Sequence, residues 1–62
     1  MNYYVLYDLK NDYPLQDRDN GSVILFEDKK EADDFQFGFE IAIPWINLPK
    51  HWQEIIIKQL KN

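Results

Sequence analysis

The stretch Phe35-Gln36-Phe37-Gly38-Phe39-Glu40-Ile41-Ala42-Ile43 decides the fold. Phe35, Phe37, Phe39, Ile41 and Ile43 alternate with Gln36, Gly38, Glu40 and Ala42, the period-two pattern of a strand. A helix competes with it, because Ala32, Phe35, Phe39, Ala42 and Ile43 also share a helical face. Two features lean toward the strand. Gly38 costs about 1 kcal/mol in a helix interior, and Ile41 and Ile43 are β-branched. Pro44 ends either element. The outcomes are a short helix then a third strand over about 37–43, giving ββαβα, or one longer helix to Ile43, giving ββαα.

Upstream, Asp28 reads as a helix N-cap, with Glu31 three residues on, the Asp version of a capping box. The helix it starts is expected over about 29–36, burying Ala32 and Phe35. Before it, 22–27 reads as a strand apolar on both faces, with Val23 and Leu25 one way and Ile24 and Phe26 the other. Residues 10–20 are polar, contain Pro14 and end in Asp19-Asn20-Gly21, a strong turn signal. They are expected to form a loop on which Tyr13 and Leu15 fold back. Residues 3–9 read as the first strand, with Tyr3, Val5, Tyr7 and Leu9 on one face and Tyr4, Leu6 and Asp8 on the other. The strands at about 3–9 and 22–27 are expected to pair antiparallel.

Downstream, 45–48 is a connector, and Pro49 suits the first turn of a helix over about 49–61. Trp52, Ile55, Ile56 and Leu60 line one face of that helix, and Ile57 lies off its centre. Glu54 to Lys58 is a favourable i,i+4 pair, and Lys58 and Lys61 suit the C-terminal dipole. The chain is therefore expected to be a single small α+β domain over 1–62. A parallel crossover needs about a dozen residues, and the first helix is short for that, so the third strand fits an antiparallel arrangement equally well.

Composition removes most function classes. At 62 residues the chain is too short for a multi-domain enzyme, a dinucleotide-binding fold or a lidded active site. Aromatic residues are 16% of it, too many for a disordered tail. There is no apolar run of the roughly 18 residues a membrane span needs, and no basic, apolar and small-residue succession of a secretory signal at Met1-Asn2-Tyr3-Tyr4-Val5. The absence of cysteine excludes disulfides and Cys-based zinc or iron–sulfur sites, and points to the cytoplasm. Seven Lys+Arg against eleven Asp+Glu gives a net charge of −4, the wrong sign for a phosphate-backbone binder. Arg18 is the only guanidinium.

Groups for chemistry are sparse. A Ser-His-Asp triad would have to use Ser22 and His51, but Ser22 follows a turn glycine without a Gly-x-Ser-x-Gly elbow. His51 next to Trp52 reads as a surface imidazole. Asp17-Arg18-Asp19-Asn20-Gly21 faintly follows a calcium loop, yet aligning Gly21 to the loop glycine puts Gln16 and Arg18 at ligand positions, so a plain turn is the better account. Asp8, Asp12, Asp17, Asp19, Glu27, Asp28, Asp33 and Asp34 are scattered, as on a solvated surface. Gly21 and Gly38 stand alone, so no phosphate loop is present. No catalytic residue, cofactor or metal is expected, and no small-molecule ligand has support.

The aromatics carry the most information. Ten Phe, Tyr and Trp residues exceed the needs of one tiny core. Two strands are apolar on both faces, and two helices are expected to cover only one face. Either loop residues such as Tyr13, Leu15 and Trp45 close the other, or it is an interface, where aromatics concentrate. The candidate interface residues are Tyr4, Leu6, Ile24, Phe26, Phe37, Phe39 and Trp45. Size, lack of cysteine and acidic, aromatic, Lys-rich composition resemble those of many small cytoplasmic proteins, including those of phages and prophages, a likeness of style that carries no site. The expected function is a non-enzymatic interaction module, adaptor or inhibitor-like, binding a protein partner through an aromatic surface with an acidic rim. The alternative is a structural homodimer with no separate ligand site. Neither involves nucleic acid or a membrane.

Overall fold

The Tyr-Val-Leu-Tyr run suits a strand buried on both sides, and β1 (Tyr4–Asp8) is that strand. The computed structural model describes residues 2–61; Met1 and Asn62, the ends of the expected 1–62 domain, lie outside the described residues. After β1 come β2 (Tyr13–Pro14), α1 (Lys29–Phe35), β3 (Glu40–Pro44), a 3-10 turn (Trp45–Asn47) and α2 (Lys50–Lys61). The sheet is antiparallel with order β2-β1-β3, so β1 is its centre. The chain is thus a small α+β domain.

The deciding stretch resolves into a short helix, a turn and a strand. Asp28 caps α1 as expected, its carboxylate accepting the Glu31 N–H at 2.7 Å. The helix stops at Phe35, and β3 begins at Glu40, three residues later than the expected 37. Gly38 is the reason: its φ of +67° lies in the left-handed region, which breaks the pleat and which glycine enters without strain. From Glu40 the ladder is regular, running from Asp8↔Glu40 through Leu6↔Ala42 to Tyr4↔Pro44.

The partner of β1 on its other edge is a correction. The expected strand at 22–27 makes only two isolated antiparallel bridges, Gln16↔Val23 and Tyr4↔Phe26. Tyr13-Pro14 takes the place beside β1, with Tyr7↔Pro14 and Asp8↔Tyr13, and the Leu15 N–H donates to the Leu6 carbonyl at 2.7 Å. That segment occupies the edge of β1 as far as Leu6. Residues 22–27 reach β1 only at its start, where Tyr4 and Phe26 exchange two backbone hydrogen bonds of 2.8 Å. The polar 10–20 segment is accordingly two tight turns around a short strand. In the first, the Asp8 carboxylate accepts the Asn11 side-chain amide at 3.0 Å and the Asn11 and Lys10 backbone N–H groups at 3.1 and 2.9 Å. The Asn11 bonds lead in holding the Asp8 carboxyl below its ordinary pKa. In the second, Gly21 at φ +75° donates to the Asp17 carbonyl, and Asp17 donates to the Ser22 carbonyl.

The helices lie on opposite faces of the sheet, which corrects the expectation that they would share one. Leu6, Phe26 and Ala32 form a buried cluster under α1, with Tyr4, Leu15, Ile24 and Ala42 packed against it. Val5, Tyr7, Val23, Leu48 and Ile56 form a second under α2, with Leu25, Ile43, Trp45 and Trp52 around it. Phe35 was expected inside but is exposed. It is the last residue of the seven-residue α1, and its ring meets Phe26 only from outside, at 5.5 Å between centroids.

The buried face of α2 is centred on Ile56, not between Ile55 and Leu60, both of which are exposed. Half-buried Trp52, Gln53 and Gln59 flank it. The Gln53 amide donates to the Ile46 and Leu48 carbonyls, both at 2.8 Å, tying off the 3-10 turn. The Gln59 amide pairs with both backbone groups of Val23, accepting its N–H at 2.9 Å and donating to its carbonyl at 2.8 Å. No helix of the described residues is long and apolar enough to cross a membrane.

Candidate interaction surface

The candidate interface residues separate into three groups. Leu6 and Phe26 are core residues of this chain, a correction that follows from α1 lying across their face of the sheet. Tyr4, Ile24 and Trp45 are half-buried, the first two packed against the Leu6 cluster and Trp45 against the Val5 cluster. Phe37 and Phe39 stand in solvent.

Phe37 and Phe39 belong to the turn that joins α1 to β3, where Phe35 accompanies them. The three side chains are 64%, 84% and 66% exposed in chain order. At ~200 Å² per aromatic side chain they offer roughly 400 Å² of apolar surface, the size of patch that marks interaction sites. The turn beneath them is closed. The Phe37 N–H donates to Glu40 Oε1 at 3.2 Å, and the Glu40 N–H to the Phe37 carbonyl at 3.4 Å. Leu9, also exposed, adjoins them through its N–H bond to the Phe39 carbonyl at 3.3 Å. The Lys10 ammonium sits 5.6 Å from the Phe39 ring centroid, a cation drawn to the ring face. The charge around them is mixed: Asp34 and Glu40 lie next to the turn in sequence, Asp33 is paired with Lys29 at 3.0 Å, and Lys10 is the cation at Phe39. Phe35 and Leu9 escaped the sequence reading; a glycine-centred turn beside them is the signal that rings there leave the sheet.

Tyr4 and Trp45 come together at the other end of β3. With Asn2, Tyr3, Pro44 and Ile46 they line a cleft of about 190 Å³. A second depression of about 390 Å³, between Asn20, Gly21, Ser22 and the Ile55, Lys58 and Gln59 side of α2, is shallow and open.

The groups considered for catalysis are dispersed. Ser22 faces Lys58 and Gln59 near the end of α2, whereas His51 is in its first turn with its ring 5.3 Å from Trp52. Seven residues of helix separate His51 from Lys58, about 10 Å. The Asp17 carboxylate, at the start of the calcium-like pattern, accepts the Asp19 N–H at 2.7 Å as a turn does. Among the described residues no three His, Asp or Glu side chains are grouped to hold a metal ion.

One polar contact is strongly biased. The Tyr7 hydroxyl, almost buried, donates to Asp12 Oδ1 at 2.6 Å. Asp12 reaches it from a backbone φ of +65°, which Asp tolerates better than most residues. The hydrogen bond, then burial, then the Asp12 charge push the Tyr7 pKa from 10.0 up to about 12. A pKa raised by folding gives stability that is complete below pH 10 and is lost as pH rises through about 12. The stability difference between the native chain and Tyr7→Phe is therefore expected to be constant below pH 10 and to shrink from there to pH 12. Urea melts across that range test it, and a difference independent of pH would remove the Asp12 contact as its cause.

Compared with known protein families, curated proteins and solved structures, the chain matches none.

Proposed function

We propose that this protein is a non-enzymatic, cytoplasmic interaction module, adaptor or inhibitor-like, that docks a partner protein through the Phe35, Phe37 and Phe39 turn. The observation that carries it is three exposed phenylalanines within five residues on a hydrogen-bonded turn. Leaving them in water costs a marginal domain solubility, and covering them returns roughly 25 cal/mol per Å². The cytoplasmic setting rests on the lack of cysteine, since small secreted domains are commonly stapled. The double variant Phe37→Ser, Phe39→Ser is expected to keep its melting temperature and to lose a stoichiometric partner that the native bait retains from the source lysate. Recovery of the same proteins at the same yield by both folded baits would sink this function.

The free edge of β3 favours a second reading, the homodimer. The Leu9 to Phe39 and Trp45 to Tyr3 hydrogen bonds fix residues 39, 41, 43 and 45 as those bonded toward β1. Ala42 thus turns its N–H and carbonyl outward. Pairing with a copy about Ala42 sets Ile41 against Ile43 and keeps the two Glu40 side chains apart. Hydrogen-bonded antiparallel partners are about 5.5 Å apart at Cα, within disulfide reach. If the edges pair, Ala42→Cys, in a chain otherwise free of cysteine, oxidises quantitatively to a dimer at micromolar concentration. Sedimentation equilibrium of the native chain as a monomer at all concentrations excludes it.

A further inference from the structure

We propose that Asn20-Gly21 is a site of spontaneous modification, where Asn20 deamidates to aspartate and isoaspartate at a rate set by opening of the 17–22 turn, and that the isoaspartate form cannot rebuild that turn. Asparagine is among the thermolabile residues. Asn2, Asn11, Asn20 and Asn47 are the asparagines of the described residues, and Asn20 alone precedes a glycine. The attacking atom in deamidation is the backbone nitrogen of the following residue, and glycine there has no side chain to obstruct it. The surroundings are open too: a Cβ added at Gly21 would meet nothing within 4 Å. Asn20 and Gly21 are both exposed, which admits the hydroxide and water that the reaction uses.

Water is the only co-reactant. The Gly21 N–H loses its proton to hydroxide, and the nitrogen attacks Asn20 Cγ. An N–Cγ bond forms, the bond from Cγ to the side-chain amide nitrogen breaks, and ammonia leaves with a proton taken from water. The product is a five-membered succinimide, which water opens at either carbonyl. Breaking the new N–Cγ bond restores the peptide and leaves aspartate. Breaking the bond from nitrogen to the Asn20 backbone carbonyl carbon leaves isoaspartate, whose main chain runs through Cβ and Cγ. In sum a water is consumed and an ammonia released, nothing is oxidised or reduced, and the net charge of −4 becomes one unit more negative.

The folded turn holds both reacting groups off this path. The Gly21 N–H donates to the Asp17 carbonyl at 2.8 Å, so its proton is not free to leave. Asn20 Oδ1 accepts the Ser22 N–H at 2.8 Å, which ties the amide to Ser22 and away from the Gly21 nitrogen. Three more bonds close the same turn: Asp17 N–H to the Ser22 carbonyl at 2.7 Å, Asp19 N–H to Asp17 Oδ1 at 2.7 Å, and Gln16 Nε2 to the Gly21 carbonyl at 3.1 Å. Reaction therefore follows local opening. The two products differ in what they restore. Aspartate at position 20 still accepts the Ser22 N–H, and Lys58 lines the same depression as a cation for the new charge. Isoaspartate adds a methylene to the main chain, so the Gly21 and Ser22 bonds to Asp17 no longer close together. The next residue, Val23, is the one clamped by Gln59, so the lost register falls on the docking of α2.

The test incubates the full chain at mildly alkaline pH, in buffer and in urea, and maps the products by mass spectrometry. Asn20 is expected to react ahead of every other asparagine, and at least about tenfold more slowly in buffer than in urea, since the turn's bonds must open together. Asp17→Ala, which removes the acceptor of the Asp19 N–H, and Gln16→Ala, which removes the donor to Gly21, should each speed the reaction in buffer at least about twofold and leave the rate in urea unchanged. A melt shows that each variant is folded, and if one is not, the other decides. Asn20→Asp is expected to melt with the native chain. A chain synthesised with isoaspartate at position 20 should melt at least about 4 °C lower. Faster reaction at another asparagine overturns the site. Equal rates in buffer and urea, or folded variants that react at the native rate, overturn control by the turn. An isoaspartate chain that melts with the native chain overturns the structural consequence.

Discussion

Leu6→Ala is expected to lower the unfolding free energy by about 2–5 kcal/mol, against a total of about 3–9 kcal/mol for a domain of this length. Leu6 is fully buried at the centre of the sheet, and its cluster is thin. Above it α1 contributes a single buried residue, Ala32, so little can slide in to fill a cavity. A urea melt should show a midpoint shifted to low denaturant with an unchanged slope, or a chain already unfolded in water. A loss below about 1 kcal/mol would mean that the α1 face is loosely packed. The position also matters for interface experiments. A charge placed at Leu6 to break a dimer would unfold the protein first, whereas Phe37 and Phe39 can be changed without touching the core.

Gln59→Leu is expected to cost about 2–3 kcal/mol although it adds apolar surface. The side chain is nearly isosteric, but it removes the acceptor for the Val23 N–H and the donor to the Val23 carbonyl together. Val23 is buried, so water is a poor substitute. Gln59→Glu separates the two bonds. A carboxylate still accepts the N–H but confronts the carbonyl with a second acceptor, so its proton is held more tightly in the folded state. That raises its folded pKa, and stability should be greater at pH 4 than at pH 7, the reverse of a salt-bridged carboxylate. Thermal melts of both variants at the two pH values measure this. A Gln59→Leu variant as stable as the native chain would show that the docking of α2 rests on the packing of Ile56 and Trp52 and the Gln53 bonds without the Val23 pair.

The fold was legible where a side-chain pattern and a local signal agreed. β1 shows in its apolar run, α1 in the Asp28 cap, and α2 in Pro49 and the lysines of its last turn. It was illegible where the pattern had two uses. The alternation from Phe35 to Ile43 is continuous, yet only its second half, from Glu40 to Ile43, is in the sheet. Gly38 diverts the aromatic half into solvent. Tyr13-Pro14 was hidden because proline and the surrounding charges argue for a loop, while the strand needs just two residues. Gln59 was hidden because a polar residue beside an apolar stripe looks like the margin of a helix face. Its partner, Val23, is 36 residues away. Of the candidate surface, Phe37 and Phe39 could be seen as aromatics without knowing that they leave the core. Leu6 and Phe26 were misjudged because the count of faces assumed both helices on one side.

The position of β1 in the chain has a kinetic consequence. Its longest ladder joins Tyr4 to Pro44, and Val5 and Tyr7 are covered only when Leu48 and Ile56 arrive. The contacts that close the sheet are long-range, which places the domain behind all-helical bundles of its size in folding rate. As the chain leaves a ribosome, its most buried strand emerges early and waits, unpaired on one edge and bare on one face, until nearly all the rest has been made. Folding is then a single late event, and a nascent chain stalled before Glu40 presents β1 to chaperones and proteases instead of to its own sheet.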